Sequence, residues 1–259
     1  MVKYLIYFIV IILANSVGAV SGMGGGVIIK PVFDSLGFHS LSAITFYSSV
    51  AVLVMAVSST TKQLKNGVTI NWSEAMAMSV GSIGGGILGS QLFKKLLEFF
   101  GNQREVQLIQ IILTIISLVL VLLHTLYIKH SYHLTNLGWF LGIGCLLGTF
   151  STLLGIGGGP INVSLLIFCF GLTLKEATVY SIITILFSQL AKLGEIGLSS
   201  GYGEFDLSWL WAIIPAAIIG GYIGGLLSGK LSEKVVGKVF ISVVIVVILI
   251  NLWNGLNLI

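Results

Sequence analysis

Two glycine clusters, Gly22-Met23-Gly24-Gly25-Gly26 and Gly155-Ile156-Gly157-Gly158-Gly159, lie in long uncharged apolar stretches near the starts of the two halves of the chain. Glycine runs break helices. Inside a bilayer, every N–H and C=O freed by such a break must be satisfied by protein, water or a ligand. Each cluster is followed by a short apolar segment, opening at Val27 or Pro160, and proline suits the first turn of a helix. Free N–H groups at a helix start, at the positive end of its dipole, attract an anion. The chemistry expected is capture of a small oxyanion near the midplane by two converging helix starts. Its candidates are Gly22, Gly24, Gly25, Gly26, Gly155, Gly157, Gly158, Gly159 and Pro160. The competing use of such glycines is close helix packing; adjacent glycines recurring at matched positions favour the site.

Lys30 stands one helical turn past Gly26. A lysine at membrane depth is expensive. Its ammonium either reinforces the anion site, snorkels to an interface, or pairs with Asp34 four residues on. The second half offers Asn162 and Ser164 instead of a base. Thr45, Tyr47, Ser48 and Ser49 in the first half, and Tyr180, Ser181, Thr184, Ser188 and Gln189 in the second, could line a hydrated path or bond within and between helices. Of these, Thr45, Ser48, Ser181, Thr184 and Gln189 are the pathway candidates. Lys192 and Glu195, three apart, read as a paired charge at a helix end, with proton coupling as the alternative use of Glu195.

The elements that must hold these groups are membrane helices. The chain has 259 residues, 56% hydrophobic and only 8% charged, with a mean hydropathy of +1.06. Soluble domains carry about 25% charged residues, so this is an all-α polytopic membrane protein with the lipid bilayer as its surroundings. A net charge of +4 is a modest positive-inside excess and gives no sign of a nucleic-acid partner. Cys145 and Cys169 sit in apolar surroundings and read as small packing residues. The opening Lys3 and apolar Tyr4–Ala14 mimic a signal peptide, but the region recurs in the second half, which favours a retained first helix.

Stretches without Asp, Glu, Lys or Arg are Tyr4–Ile29, Ser35–Thr61, Ala75–Phe93, Val106–Ile128, Ser131–Leu174, Ala177–Ala191, Leu207–Gly229 and Val239–Ile259. A span needs about 20 apolar residues, so about eight spans are expected, with an extra half-helix in Tyr4–Phe38 and in Ser131–Leu174. The halves align. Residues 22 and 155 are 133 apart, Gly37 and Gly171 are 134 apart, and Gly85-Gly86 and Gly220-Gly221 are 135 apart. This marks two membrane repeats, 1–130 and 131–259, forming one transmembrane domain, each with about four spans plus a glycine-initiated half-helix. Basic clusters at equivalent places, Lys94, Lys95 and Arg104 against Lys230, Lys234 and Lys238, favour parallel repeats; five crossings per unit would make them inverted. Gly85/Gly89 and Gly220/Gly224 are small-xxx-small faces, suited to packing within the chain or to a homodimer.

No Gly-x-Ser-Gly, paired intramembrane aspartates, His-Glu-x-x-His or Walker loop is found, so no enzyme, cofactor or metal is expected. His124 reads as a packing residue. Without a nucleotide site, transport would be channel-like or driven by an ion gradient.

The paired glycine motifs, each with a proline in the short segment that follows (Pro31 and Pro160), in a duplicated chain of this length, resemble the TauE/SafE family over essentially the whole sequence. In the second copy the proline directly follows the glycines, and Ser164 stands at the place of Pro31. The resemblance implies a multi-pass protein of the cytoplasmic membrane. It would transport small anionic sulfur or organic compounds, such as sulfite, sulfonates or thiosulfate, with an ion such as the proton as coupling partner. An anion channel and a non-transporting membrane scaffold are the alternatives.

Overall fold

The computed structural model describes residues 2–65, 70–127 and 130–258; the segment ends placed at Ile128 and Ile259 lie outside them. Within the described residues the chain forms ten α-helices: α1 Val2–Ser21, α2 Gly26–Leu36, α3 Leu41–Leu64, α4 Trp72–Phe100, α5 Gln103–Tyr127, α6 Leu137–Leu153, α7 Pro160–Phe170, α8 Leu174–Ser199, α9 Leu210–Lys230 and α10 Glu233–Leu258. Six of them, α1, α3, α5, α8, α9 and α10, are long and apolar enough to cross a membrane. Each half thus holds four longer helices and one of 11 residues, α2 or α7, each about 16 Å long.

Matching signals bound the short helices. Gly37 and Gly171 end α2 and α7 in the left-handed conformation, φ 62° and 67°, donating to the Phe33 and Ile167 carbonyls. Hydroxyl caps then start the next helices: Ser40 accepts from the Ala43 amide, and Thr173 forms a capping box with Glu176.

α1 and α2 form a hairpin whose two outer ends share one face of the protein. The Lys3 ammonium lies over the Phe38 ring, Tyr7 stacks on Phe33, and the Tyr7 hydroxyl meets His39 Nδ1 at 2.8 Å. On the same face Tyr4 bonds Ser208, Tyr47 donates to the Asp206 carbonyl, and Arg104 donates to the Leu258 carbonyl. α6 and α7 form the corresponding hairpin from the opposite face. There Tyr132 and Leu134 donate to the Phe168 and Cys169 carbonyls, and Tyr180 bonds Asn71 and Glu74.

These contacts correct the expectation of parallel repeats. A hairpin returns the chain to its starting face, so each unit makes three net crossings, an odd number, and the units run in opposite senses. Basic residues mislead because Lys94, Lys95 and Arg104 end up on the first face, at the α4–α5 junction, whereas Lys230, Lys234 and Lys238 lie on the second.

The glycine faces join the two units. α4 packs on α6 so closely that a Cβ at Gly81 or Gly85 would overlap the Leu141 or Cys145 carbonyl oxygen. Gly220 and Gly224 of α9 meet the Ile12 and Ser16 carbonyls of α1 in the same way. These faces are therefore spent on packing within the chain.

Candidate functional site

The hairpin tips are built alike. α1 ends when the Gly24 amide folds back to the Gly18 carbonyl at 3.2 Å; α6 ends when the Gly157 amide folds back to the Ser151 carbonyl, also at 3.2 Å. Both glycines sit at positive φ, 74° and 72°, where a side chain would be strained. The structure brings the clusters together. Gly24 faces the Gly157 carbonyl, a Cβ on Gly26 would overlap the Ile156 carbonyl, and Gly159 faces Val27. The two turns meet backbone to backbone, and every residue of Gly22–Gly26 and Gly155–Pro160 is buried.

Part of the hydrogen-bonding capacity is already used: the amides of Gly24, Gly155 and Gly157 bond carbonyls of α1 and α6. The amides of Gly26 and Val27 at the start of α2, and of Gly158 and Gly159 at the start of α7, have no acceptor among the described residues. An asparagine lies against each turn. Asn15 donates to the Ala51 carbonyl at 3.3 Å and packs its unbonded Oδ1 on Gly25. Asn162, 1% exposed, packs beside Gly158 with neither Nδ2 nor Oδ1 hydrogen-bonded. A buried amide left unpaired costs about 1–3 kcal/mol, so Asn162 stands ready for a partner.

A second symmetric pair flanks the turns. Thr178 of α8 abuts Gly22, and Thr45 of α3 abuts Gly155. Ser181 donates to the Gly22 carbonyl at 2.6 Å, whereas Ser48, one turn along α3, is buried and unbonded, as is the Thr45 hydroxyl. Behind this lies a repeat the glycine alignment passed over: Thr45-Phe-Tyr47-Ser48 and Thr178-Val-Tyr180-Ser181, 133 apart. Thr178, Asn15, Ser151 and Thr152 were absent from the sequence-derived candidates, and extending that offset into α3 and α8 exposes the first of them.

The remaining candidates divide. Lys30 is buried, pairs with Asp34 at 2.7 Å, and lays its side-chain stem against Gly155 of the other hairpin; it does not snorkel. Ser49 and Thr184 bond back to carbonyls of their own helices, at Thr45 and Tyr180. Gln189 donates to Ser151 Oγ at 2.9 Å and keeps Oε1 unbonded. Ser164 lines an apolar groove between α5, α6 and α7, together with His124. Both cysteines are free.

Lys192 and Glu195 do not pair as expected. Both side chains are taken by other helices: Glu195 accepts from Lys94 at 2.9 Å and from Ser90 at 2.6 Å, and Lys192 turns to the Thr152 carbonyl. Two cavities open toward the first face. One, about 320 Å³, is bounded by Asp34, His39, Gln107 and Asn254. The other, about 120 Å³, runs between Ser42, Ser90, Lys94 and Glu204 to Thr45 and Lys192. At the rim of the first, burial and then the Lys3 ammonium hold His39 below the ordinary histidine range, opposed by Asp206.

Among known proteins, the family model described as "Sulfite exporter TauE/SafE" matches residues 7–251. No curated protein and no solved structure gives a significant match.

Proposed function

The chain belongs to the TauE/SafE family of membrane sulfite exporters, and from that premise we propose that it is a secondary transporter for a small anionic sulfur solute, sulfite or an organosulfonate, coupled to an ion gradient across the cell membrane. The observation that carries this reading is the meeting of two helix starts in the buried centre of the molecule, their first amides without acceptors and Asn162 beside them unpaired. In a low-dielectric site such donors replace the hydration shell of an oxyanion. The proposed substrate site is bounded by Gly22, Gly24, Gly25, Gly26, Gly155, Gly157, Gly158, Gly159, Pro160 and Asn162, with Thr45 and Ser48 on the approach and Lys30, neutralised by Asp34, packed at its edge.

The tightly closed turns fit a state in which the centre is occluded, with cavities reaching toward it from one face. Exchange of access would come from rocking of one hairpin-bearing unit against the other, the motion to which opposed repeats lend themselves. Charge assigns the faces. The second carries Lys62, Lys65, Lys175, Lys230, Lys234 and Lys238 against Glu74, Glu176 and Glu233. The first carries Lys3, Lys94, Lys95 and Arg104 against Glu98, Glu105, Glu195, Glu204 and Asp206. The positive-inside rule puts the second face in the cytoplasm and the cavities and both described chain ends outside.

The test is flux in liposomes containing the purified protein, with sulfite, thiosulfate, a sulfonate, sulfate and a carboxylate, each with and without a pH gradient. Saturable, gradient-driven movement of a sulfur oxyanion with counterflow is expected. Large single-channel currents would replace the carrier by a channel, and no flux of any anion would end the reading.

A further inference from the structure

Taking the anion-transport reading as its base, we propose that Lys192, at the inner end of the smaller cavity, is the positive charge that the transported anion meets, with the Thr45 hydroxyl as its neighbouring donor. Lys30 is neutralised by Asp34 and Lys94 by Glu195, and these are the ion pairs formed among the described residues. Lys192 is 1% exposed, and its single hydrogen bond is a long one, 3.4 Å, to the Thr152 carbonyl. The carboxylate nearest along its own helix, Glu195, is held by Lys94 and Ser90.

A buried ammonium without a counterion is strongly unfavourable. What the fold supplies in place of a carboxylate is a carbonyl at the C-terminal end of α6, whose partial negative charge helps hold the cation, and an opening. The cavity, about 120 Å³, has room for a small oxyanion and carries Lys94 near its mouth and Lys192 with Thr45 at its end. The Thr45 hydroxyl is buried without a partner and abuts Gly155, so this end of the cavity borders the second glycine turn. The Thr152 carbonyl that holds Lys192 also accepts from the Gly155 amide at 3.2 Å. An anion seated on Lys192 would therefore sit beside the hinge of the second hairpin, next to the proposed central site. The stem of Lys30 approaches the same turn beside Thr45, but its charge is already spent on Asp34.

A role confined to capping α6 predicts different behaviour, and binding measurements separate the two. With sulfite as the probe, measured as the concentration-dependent rise in melting temperature of the detergent-solubilised protein, Lys192→Met is expected to weaken binding at least tenfold and Lys192→Arg much less. Wild-type sulfite affinity in folded Lys192→Met would overturn the proposal. Should that variant not fold, acylation of Lys192 in the wild-type protein, followed by mass spectrometry, decides instead. Sulfite slowing the modification supports the contact, and an unchanged rate refutes it. Asn162→Leu keeps the base reading separable: if it abolishes sulfite binding while Lys192→Met leaves it intact, Lys192 falls and the site at the turns stands. If neither substitution alters binding, both fall.

Discussion

Lys30 and Gly155, from opposite halves of the chain, are in contact: the lysine stem packs on the left-handed turn of the second hairpin while its ammonium holds Asp34 at 2.7 Å. The pair thus ties the two units together where their tips pass. Removing one member leaves a buried, uncompensated charge, which costs about 3–5 kcal/mol, whereas replacing both by apolar residues is often neutral. Lys30→Met and Asp34→Leu singly should each lower the melting temperature sharply, and the double substitution should restore most of it. Equal loss in all three would show that no such coupling exists.

Asn162 is expected to separate stability from activity. Its amide is buried and unpaired, so Asn162→Leu should leave the melting temperature unchanged or higher while sulfite flux in liposomes drops by more than tenfold. A variant with full flux would remove Asn162 from the site.

Gly84 and Gly85 are neighbours with opposite surroundings. A Cβ at Gly84 meets open space, but one at Gly85 would overlap the Cys145 carbonyl. Gly84→Leu should yield folded protein by size-exclusion chromatography and Gly85→Leu should not, because α4 and α6 could no longer approach. Tolerance of both would contradict the helix packing described.

The orientation can be read with single cysteines in a variant lacking Cys145 and Cys169. A membrane-impermeant maleimide added to intact cells should label Glu204→Cys but not Ser232→Cys. The reverse pattern would invert the assignment of faces.

His39 supplies a pH dependence. Burial keeps its folded-state value below the ordinary 6.5, so the unfolded chain binds the proton more readily. The contribution of neutral His39 is intact above that ordinary value and is lost as pH falls below it, toward and through the lowered folded-state value. A His39→Gln variant should show a shallower fall in melting temperature between pH 7 and 5; an unchanged slope would assign the loss to other groups.

Much of this was legible in the residues. Charge-free stretches located the long helices because a bilayer excludes charge, and matching glycine clusters 133 residues apart marked the two hairpin tips because each break needs the same backbone turn. The opposed sense of the units was not legible. It depends on whether α1 and α2 return to one face, which is settled by where Lys3 and Phe38 meet. Nor was the pairing of charges: sequence spacing coupled Lys192 to Glu195, while helix packing handed Glu195 to Lys94 from a different helix.

By itself, then, the sequence determined a membrane-embedded helical protein with two glycine breaks, since these follow from composition, hydrophobic length and local backbone constraint. Its family rests on the resemblance of the paired glycine motifs and on the family-model match. Only the tertiary structure decided that the breaks touch, that Lys30 is neutralised and that Lys192 is buried without a carboxylate. Those outcomes depend on which helices become neighbours, and the packing of small residues against distant carbonyls sets that.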